Sequence, residues 1–285
     1  MKITETISEL KSLIAIQSMH PSGFVPTMGA LHKGHIELVR RAVNECSQVI
    51  VSIFVNPAQF NDPDDLARYP RTLESDLGML GKVLGSDDLV FLPTVNEIYP
   101  EPDTRKFDFG SIEKVMEGKH RPGHFNGVAQ VVSRLFDIVN PDVAYFGRKD
   151  LQQVAVIREM VRQTRQKVRI VACPTVREED GLAMSSRNTL LEPAHRRSAG
   201  IIYHSLLTAS EIIRQKDIAA ARSWFRNSIE KVDGFRLQYF EVVEDNTMTV
   251  IKTRKSSVQG VEYSICVALY AGKIRLIDNI PVSLE

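Results

Sequence analysis

Two histidines, His32 and His35, stand close together in the stretch TMGALHKGH, which follows a short apolar run. Gly29 and Gly34 lie in the same stretch and allow a backbone to approach a ligand closely. The helical pattern that begins near Gly34 would present unpaired N–H groups and the positive end of its dipole to an anion. Imidazole N–H groups at such an entrance can donate to phosphate oxygens, above all where negative charge grows during attack on phosphorus.

Two other interpretations of the histidine pair stay open at this point. The spacing also fits the first turn of an ordinary helix that carries two surface histidines. A pair of zinc ligands is the third interpretation, but no further ligand pattern accompanies His32 and His35 in the sequence.

Further polar segments follow other apolar runs. In GRKDLQQ, Lys149 is a compact charge suited to phosphate, Asp150 is the expected N-cap, and Gln153 lies one helical turn beyond the lysine. The segment MSSRN offers two hydroxyl donors and a guanidinium that can grip phosphate from two sides. The segment FVNPAQF carries the amides of Asn56 and Gln59, which can orient a hydroxyl or a carboxylate.

Each of these segments alone is also explained as a helix cap, a loop or an Asn-Pro turn. Their coincidence favours a site, because ligands of open parallel sheets bind beyond the carboxyl ends of the strands. The sequence contains neither GxxxxGK[ST] nor GxGxxG. It therefore predicts that histidines, a lysine and an arginine hold a nucleoside triphosphate at the rim of a sheet.

The elements that must position these residues are readable from hydrophobic patterning. Apolar, β-branched runs at 23–27, 49–55, 89–94, 143–146 and 168–173 alternate with helical patterns at 34–46, 127–139 and 150–163. This order predicts an α/β fold with a Rossmann-like open parallel sheet. Two helices at 193–215 and 217–232 are then followed by three strand-like runs with a turn at Ala271-Gly272, which predicts a smaller C-terminal α+β domain. We place the domains at residues 1–180 and 181–285.

Composition narrows the class of protein. The chain has 36 Lys and Arg against 35 Asp and Glu, so charge gives no case for binding nucleic acid or a membrane surface. The first 20 residues contain acids and no long apolar core, which predicts a first amphipathic helix rather than a secretory signal. Three widely spaced cysteines argue against a disulfide framework and favour the reducing cytoplasm.

The motifs together resemble those of a known family. PTMGALHKGH resembles the HIGH-type signature of nucleotidyltransferases, and with FVNPAQF, RYPRT, RPGHFNGVA, YFGRKDLQQ and GLAMSSRN the chain resembles the pantoate–β-alanine ligase (pantothenate synthetase) family. The resemblance covers most of residues 20–190. It implies that ATP and pantoate form pantoyl adenylate and pyrophosphate, and that β-alanine then gives pantothenate and AMP. The alternative function is that of a related adenylyltransferase acting on a phosphorylated vitamin precursor. An RNA-binding module is a hypothesis of another class, and the lack of a basic stripe in the sequence counts against it.

The resemblance also implies the residues that handle ATP and catalysis. His32, His35, Lys149 and Arg187 are expected to be catalytic, with His35 as a proton donor. The residues expected to bind ATP are Met28, Gly29, Ala30, Leu31, His32, Lys33, Gly34, His35, Gly147, Arg148, Lys149, Asp150, Val176, Met184, Ser185, Ser186 and Arg187. Arg148 replaces the acid or glutamine that is more usual in the family, and we expect the loop to keep its role.

The remaining expectations concern substrate, metal and assembly. Gln59 and Gln153 are expected to hold pantoate, with Asn56 beside them and Gln59 also near β-alanine. Asp76 matches the family's acidic region for Mg²⁺, although Ser75 and Met79 stand where some members carry more ligands. The C-terminal domain is expected to close as a lid, and the family resemblance implies a homodimer in the coenzyme A pathway.

Overall fold

The computed structural model describes residues 1–60 and 63–284. The chain divides into two compact units. The first comprises Met1–Gly110, Arg121–Gly147 and Val156–Pro174, and the second comprises Ser111–His120, Arg148–Ala155 and Thr175–Glu285. The predicted domain boundary at 180/181 stays a prediction.

The first unit is built on a parallel sheet of six strands. The strands are β1 (Lys2–Thr4), β2 (Ser22–Thr27), β3 (Gln48–Ile53), β4 (Leu89–Phe91), β5 (Val143–Gly147) and β6 (Arg169–Cys173), and their order across the sheet is β1-β4-β3-β2-β5-β6. The predicted α/β class and parallel sheet are confirmed. The strand order reverses at β2, so the carboxyl ends of β2 and β5 form the switch point at which such sheets bind ligands.

Helices accompany this sheet. They are α1 (Ile7–Gln17), α2 (Lys33–Glu45), α3 (Pro63–Arg68), α4 (Leu73–Leu80), α5 (Val95–Ile98) and α7 (His124–Val139), and α8 (Leu151–Thr164) starts in the second unit and ends in the first. Helix α2 buries Ile36, Val39 and Ala42 at helical spacing, and Val39 packs in one cluster with Val25 and Val51 of the sheet. This packing orients the first turn of α2 at the end of β2.

The prediction for the N-terminus was wrong in part. The first segment of the chain is the strand β1, and the amphipathic helix starts only at Ile7. A strand of three residues is too short to give a periodic signal, and its parallel pairing with β4 depends on residues far along the chain.

The second unit contains an antiparallel sheet of three strands, in the order β7-β8-β9. Its elements are α6 (Met116–His120), α9 (Pro193–Ser198), α10 (Ile201–Gln215), α11 (Ile218–Glu230), β7 (Phe235–Glu244), β8 (Tyr263–Ala271) and β9 (Ile274–Pro281). Phe225, Phe240 and Val267 are buried in its core. The helix predicted over 193–215 is divided into α9 and α10, and a Cβ on Gly200 between them would lie 2.5 Å from the carbonyl oxygen of Asp180.

In the part of the chain that the structure describes, each helix is too short or too polar to cross a lipid bilayer.

Candidate active site

The loop after β2 is held in an unusual backbone conformation. Gly29 has φ +78° and Ala30 has φ +49°, both in the left-handed region. An L-residue such as Ala30 pays about 1–2 kcal/mol for this conformation. The carboxylate of Asp76 accepts hydrogen bonds from the N–H of Ala30 (2.9 Å) and of Leu31 (2.8 Å), each worth about 1.5–3 kcal/mol to a charged acceptor. These bonds offset the strain and fix the loop.

The side chain of Asp76 is enclosed by this arrangement. It lies in the first turn of α4, is 1% exposed, and accepts a third hydrogen bond from the hydroxyl of Thr72 (3.0 Å). A Cβ on Gly29 would stand 3.1 Å from the Oδ2 atom of Asp76, so a side chain at that position is opposed by both space and φ. Glycine is therefore the residue that lets the carboxylate reach the loop.

These contacts do not fit a direct magnesium ligand. Mg²⁺ keeps several waters and needs an open octahedral shell, whereas the Asp76 carboxylate is buried and already accepts three hydrogen bonds. Within residues 1–60 and 63–284, no group of three or more His, Cys, Asp or Glu side chains is arranged to hold a metal ion. Magnesium binding by Asp76 stays a prediction.

The two histidines form the cap of α2. The Nδ1 atom of His32 accepts from the N–H of Gly34 (3.1 Å), and the Nδ1 atom of His35 accepts from the N–H of His32 (3.3 Å). Their ring centroids are 4.0 Å apart. Because each Nδ1 atom is an acceptor, the proton of each neutral ring lies on Nε2. The capping geometry thus sets both rings as Nε2–H donors at a helix N-terminus, where an anion is favoured.

The turn after β3 holds Gln59 through buried contacts. Asn56, 1% exposed, caps the 3₁₀ turn Pro57–Gln59, and its Nδ2 atom donates to the carbonyl of Gly127 (3.1 Å). Its Oδ1 atom accepts from the hydroxyl of Tyr99 (3.1 Å). Burial raises the pKa of Tyr99 to about 12, so this phenol stays protonated and remains a donor. The amide of Asn56 is therefore engaged within the unit, and substrate binding by Asn56 stays a prediction.

Gln59 joins two of the predicted site loops. Its Nε2 atom lies 2.6 Å from the Sδ atom of Met28, in the loop after β2. Its carbonyl oxygen accepts from the Nδ1 atom of His124 (2.8 Å), at the start of α7. A Cβ on Gly127 would lie 2.4 Å from the carbonyl oxygen of Ala58, so α7 packs directly on this turn. Residues 118–127 belong largely to α6 and α7.

In the second unit, a 3₁₀ turn at Arg148–Asp150 follows the end of β5 and carries Lys149. The Nζ atom of Lys149 is 3.3 Å from the carboxylate of Asp150, and its side chain is 19% exposed. The guanidinium of Arg148 pairs with buried Asp245 and donates to the hydroxyl of Ser264 (3.0 Å). Arg148 thus has a structural partner of its own, which explains how the turn accommodates arginine at this position.

Residues 175–188 contain Val176 and Met184 to Arg187, which are expected to bind ATP, and form one small hairpin that leads into a 3₁₀ turn. The N–H of Met184 donates to the carbonyl of Val176 (3.0 Å), and Arg177 pairs with Ala183 in an antiparallel bridge. Ser185 caps the following 3₁₀ turn, Ser186–Leu190, by accepting from the N–H of Arg187 (3.2 Å).

The base of this hairpin is fixed by an ion pair. The guanidinium of Arg177 contacts both carboxylate oxygens of Asp278, at 2.7 and 3.0 Å, and donates to the carbonyl of Gly181 (3.0 Å). Asp278 is 3% exposed and lies on β9. The pair therefore anchors the segment that carries the predicted arginine and hydroxyl donors.

The sequence model of a protein family described as pantoate-beta-alanine ligase matches residues 2–281. The chain belongs to this ligase family. The pantothenate synthetase of Bacteroides thetaiotaomicron is 48% identical over 282 residues, which are 98% of this chain and 98% of the relative. That of Phocaeicola vulgatus is 50% identical over 284 residues, covering 98% of this chain and 99% of the relative.

Solved structures of the same ligase family are also similar. The pantothenate synthetase of Thermus thermophilus has a TM-score of 0.88 and 42% identity, over 98% of this chain and 99% of that one. The pantoate-beta-alanine ligase of Francisella tularensis, solved with beta-gamma ATP and beta-alanine, has a TM-score of 0.78 and 36% identity, over 100% of this chain and 100% of that one. The resemblance inferred from the motifs is thereby confirmed.

The predicted site residues fall into two sets. The first unit holds Met28, Gly29, Ala30, Leu31, His32, Lys33, Gly34, His35, Asn56, Gln59, Asp76 and Gly147, and the second holds Arg148, Lys149, Asp150, Gln153, Val176, Met184, Ser185, Ser186 and Arg187. The loop after β2, residues 28–35, is called the His loop below. Within the first unit, Asp76 and Gln59 both contact this loop.

Sequence reasoning missed the residues that support these loops. Asp245, Asp278 and Asn279 are buried polar side chains, 2–3% exposed, that contact the Lys149 turn or the 175–188 hairpin. One signal was available, because the polar pair Asp278-Asn279 interrupts the apolar pattern of KIRLIDNI. A buried polar group of this kind needs partners.

Proposed function

We propose that the protein condenses (R)-pantoate with β-alanine, at the expense of ATP, to give pantothenate, AMP and pyrophosphate through pantoyl adenylate. Membership of the ligase family over residues 2–281 supports this reaction and does not favour the alternative adenylyltransferase. The single structural observation that carries it is the pair of Nε2–H donors, His32 and His35, at the N-terminus of α2.

Activation begins with attack of the pantoate carboxylate on the α-phosphorus of ATP. Both reactants are anionic, so the developing charge must be neutralised for the reaction to proceed. In the proposal, His32 and His35 donate from Nε2 to the phosphate oxygens, with His35 as a proton donor, while Lys149 and Arg187 hold the phosphates by charge.

The nucleotide is proposed to enter as its magnesium complex. The ion would be carried on the phosphate oxygens as part of the substrate, where it neutralises negative charge on the leaving pyrophosphate. The backbone of residues 28–35, the 147–150 turn and the hairpin with Val176 and Met184 to Arg187 are proposed to surround the nucleotide.

The second step is attack of the β-alanine amine on the acyl carbon of pantoyl adenylate, with AMP as the leaving group. Gln59 and Gln153 are proposed to orient pantoate through its hydroxyls and carboxylate, and Gln59 is proposed to lie near β-alanine. The contact of Gln59 with Met28 supports a place for it beside the phosphate-binding loop. An acyl adenylate must be kept from water, and closure of residues 181–285 as a lid stays a prediction.

The test is mass detection of products after the protein is mixed with ATP, Mg²⁺, (R)-pantoate and β-alanine. Pantothenate and AMP in equal amounts are expected. Formation of ADP, or an adenylylated product without pantothenate, would contradict the proposal. A homodimeric assembly is proposed on the family resemblance alone, and sedimentation tests it. A place in the cytoplasm is proposed on the three widely spaced cysteines.

A further inference from the structure

We infer that Asn279 is a positioning residue for Lys149 during activation. Asn279 lies on β9 and is 3% exposed. The inference rests on the proposed role of Lys149 at the phosphates and adds to it the group that holds the lysine turn in place.

The amide of Asn279 supplies two donors to the turn. Its Nδ2 atom donates to the carbonyl oxygen of Arg148 (2.9 Å) and to that of Lys149 (2.8 Å). The opposite atom of the amide, Oδ1, is buried and has no hydrogen-bond partner in residues 1–60 and 63–284. The two donors account for an asparagine at this position, because each forms a hydrogen bond to a backbone carbonyl of the Lys149 turn.

The side chain of Arg148 also holds this turn in place. Arg148 reaches Asp245, just after β7, and Ser264 of β8, while Asn279 of β9 holds the backbone. Contacts to the turn therefore come from β8, from β9 and from the end of β7. The backbone on both sides of the Lys149 Cα atom is thereby restrained, and a shift of the turn would move the Nζ atom.

Asn279 acts through the lysine, since its amide hydrogens go to backbone carbonyls. A loss of positioning differs from a loss of stability in one measurable respect. If Asn279 serves only to place Lys149, its removal should matter much less once the ammonium group is already gone. A double-mutant cycle on the activation step tests this.

The experiment uses Asn279→Leu, Lys149→Ala and the double variant of the full chain. The rate measured is pantoate-dependent exchange of labelled pyrophosphate into ATP, at saturating ATP and pantoate and at a temperature where thermal melts show every variant folded. Asn279→Leu is expected to lower the rate about 10- to 100-fold, in line with loss of a supporting hydrogen-bond shell. In the Lys149→Ala background the same change is expected to lower the rate by less than about threefold.

The control is Gln130→Met. The Nε2 atom of Gln130 also donates to two backbone carbonyls, those of Asp103 (3.0 Å) and Arg105 (2.7 Å), in a segment that carries none of the proposed site residues. Gln130→Met is expected to lower the melting temperature as Asn279→Leu does, while its exchange rate stays within about twofold of the wild-type rate. If Asn279→Leu does not fold, Asn279→Ser, which keeps one hydroxyl donor, replaces it with the same expectation.

The outcomes separate the two proposals. An unchanged rate in Asn279→Leu, or an equal loss in both backgrounds, would overturn the positioning role while leaving the role of Lys149 intact. A Lys149→Ala protein with the wild-type exchange rate would instead overturn the proposed function of the lysine. A Gln130→Met protein that loses as much rate as Asn279→Leu would show that the loss is general and would also overturn the inference.

Discussion

Replacing Asp76 by Asn would remove the charged acceptor that holds the His loop. One side of the asparagine amide would present a donor to the N–H of Ala30 or Leu31, and the other side would keep a neutral acceptor. Losing one bond to a charged group, worth about 1.5–3 kcal/mol, and weakening the other gives a destabilisation of about 2–4 kcal/mol. Ala30 would then leave its left-handed conformation more readily, since that conformation is itself unfavourable.

The rate of the activation step should fall in Asp76→Asn because the loop that carries Ala30 leaves its conformation more readily. If the loop must regain its conformation in the transition state, at about 1.4–2.8 kcal/mol, the pyrophosphate exchange rate should fall about 10- to 100-fold. The rate is measured at saturating ATP and pantoate over a range of Mg²⁺ concentrations. Because the carboxylate is enclosed, we expect the Mg²⁺ concentration for half-maximal rate to stay unchanged.

Asp88 provides a matched control. Its carboxylate accepts from the N–H of Val49 (2.7 Å) and of Gly85 (2.7 Å) and is also buried. Asp88→Asn is expected to lower the melting temperature to a similar extent without changing the exchange rate. A wild-type rate in Asp76→Asn would refute the loop-fixing role, and a raised Mg²⁺ requirement would restore Asp76 as a metal ligand.

Three further predictions concern separate parts of the molecule. His32→Ala or His35→Ala should lower the exchange rate by ~10²–10³-fold, which is the effect of removing one oxyanion donor. An unchanged exchange rate together with a much lower melting temperature would show that the two histidines have a purely structural role. Gln153→Ala should weaken pantoate binding in calorimetric titration by about 1–3 kcal/mol and leave ATP binding nearly normal; the opposite pattern would contradict its assignment. Hydrogen bonding from Arg105 lowers the pKa of Asp103, so Asp103 stabilises the fold above the ordinary aspartate pKa and loses this contribution as pH falls through its lowered pKa. The gap in melting temperature between wild type and Asp103→Asn should therefore stay constant from about pH 7 to about pH 4 and narrow at lower pH, and a gap that does not narrow there would contradict the reasoning.

Much of the fold is predictable from local pattern. Val25, Val51 and Val90 belong to buried parallel strands, whose continuous β-branched runs differ from the spacing of Ile36 and Val39 on α2. The first strand was missed because three residues carry no period, and its place in the sheet depends on β4.

The site is predictable only where its chemistry is local. The glycines and histidines of the loop after β2 are close in sequence, so their spacing indicates a phosphate-binding helix entrance. The groups that fix the loops lie far away along the chain: Asp76 is 46 residues from Ala30, and Asn279 is 130 residues from Lys149. Such contacts arise from tertiary packing and leave no periodic signal in a single sequence.

The central claim is that the carboxylate of pantoate is activated as an acyl adenylate before β-alanine reacts. The most direct test is exchange of labelled pyrophosphate into ATP with pantoate and Mg²⁺ present and β-alanine absent. The account predicts exchange that depends on pantoate and is lowered by ~10²–10³-fold in His35→Ala. Exchange that appears only after β-alanine is added would contradict the adenylate mechanism.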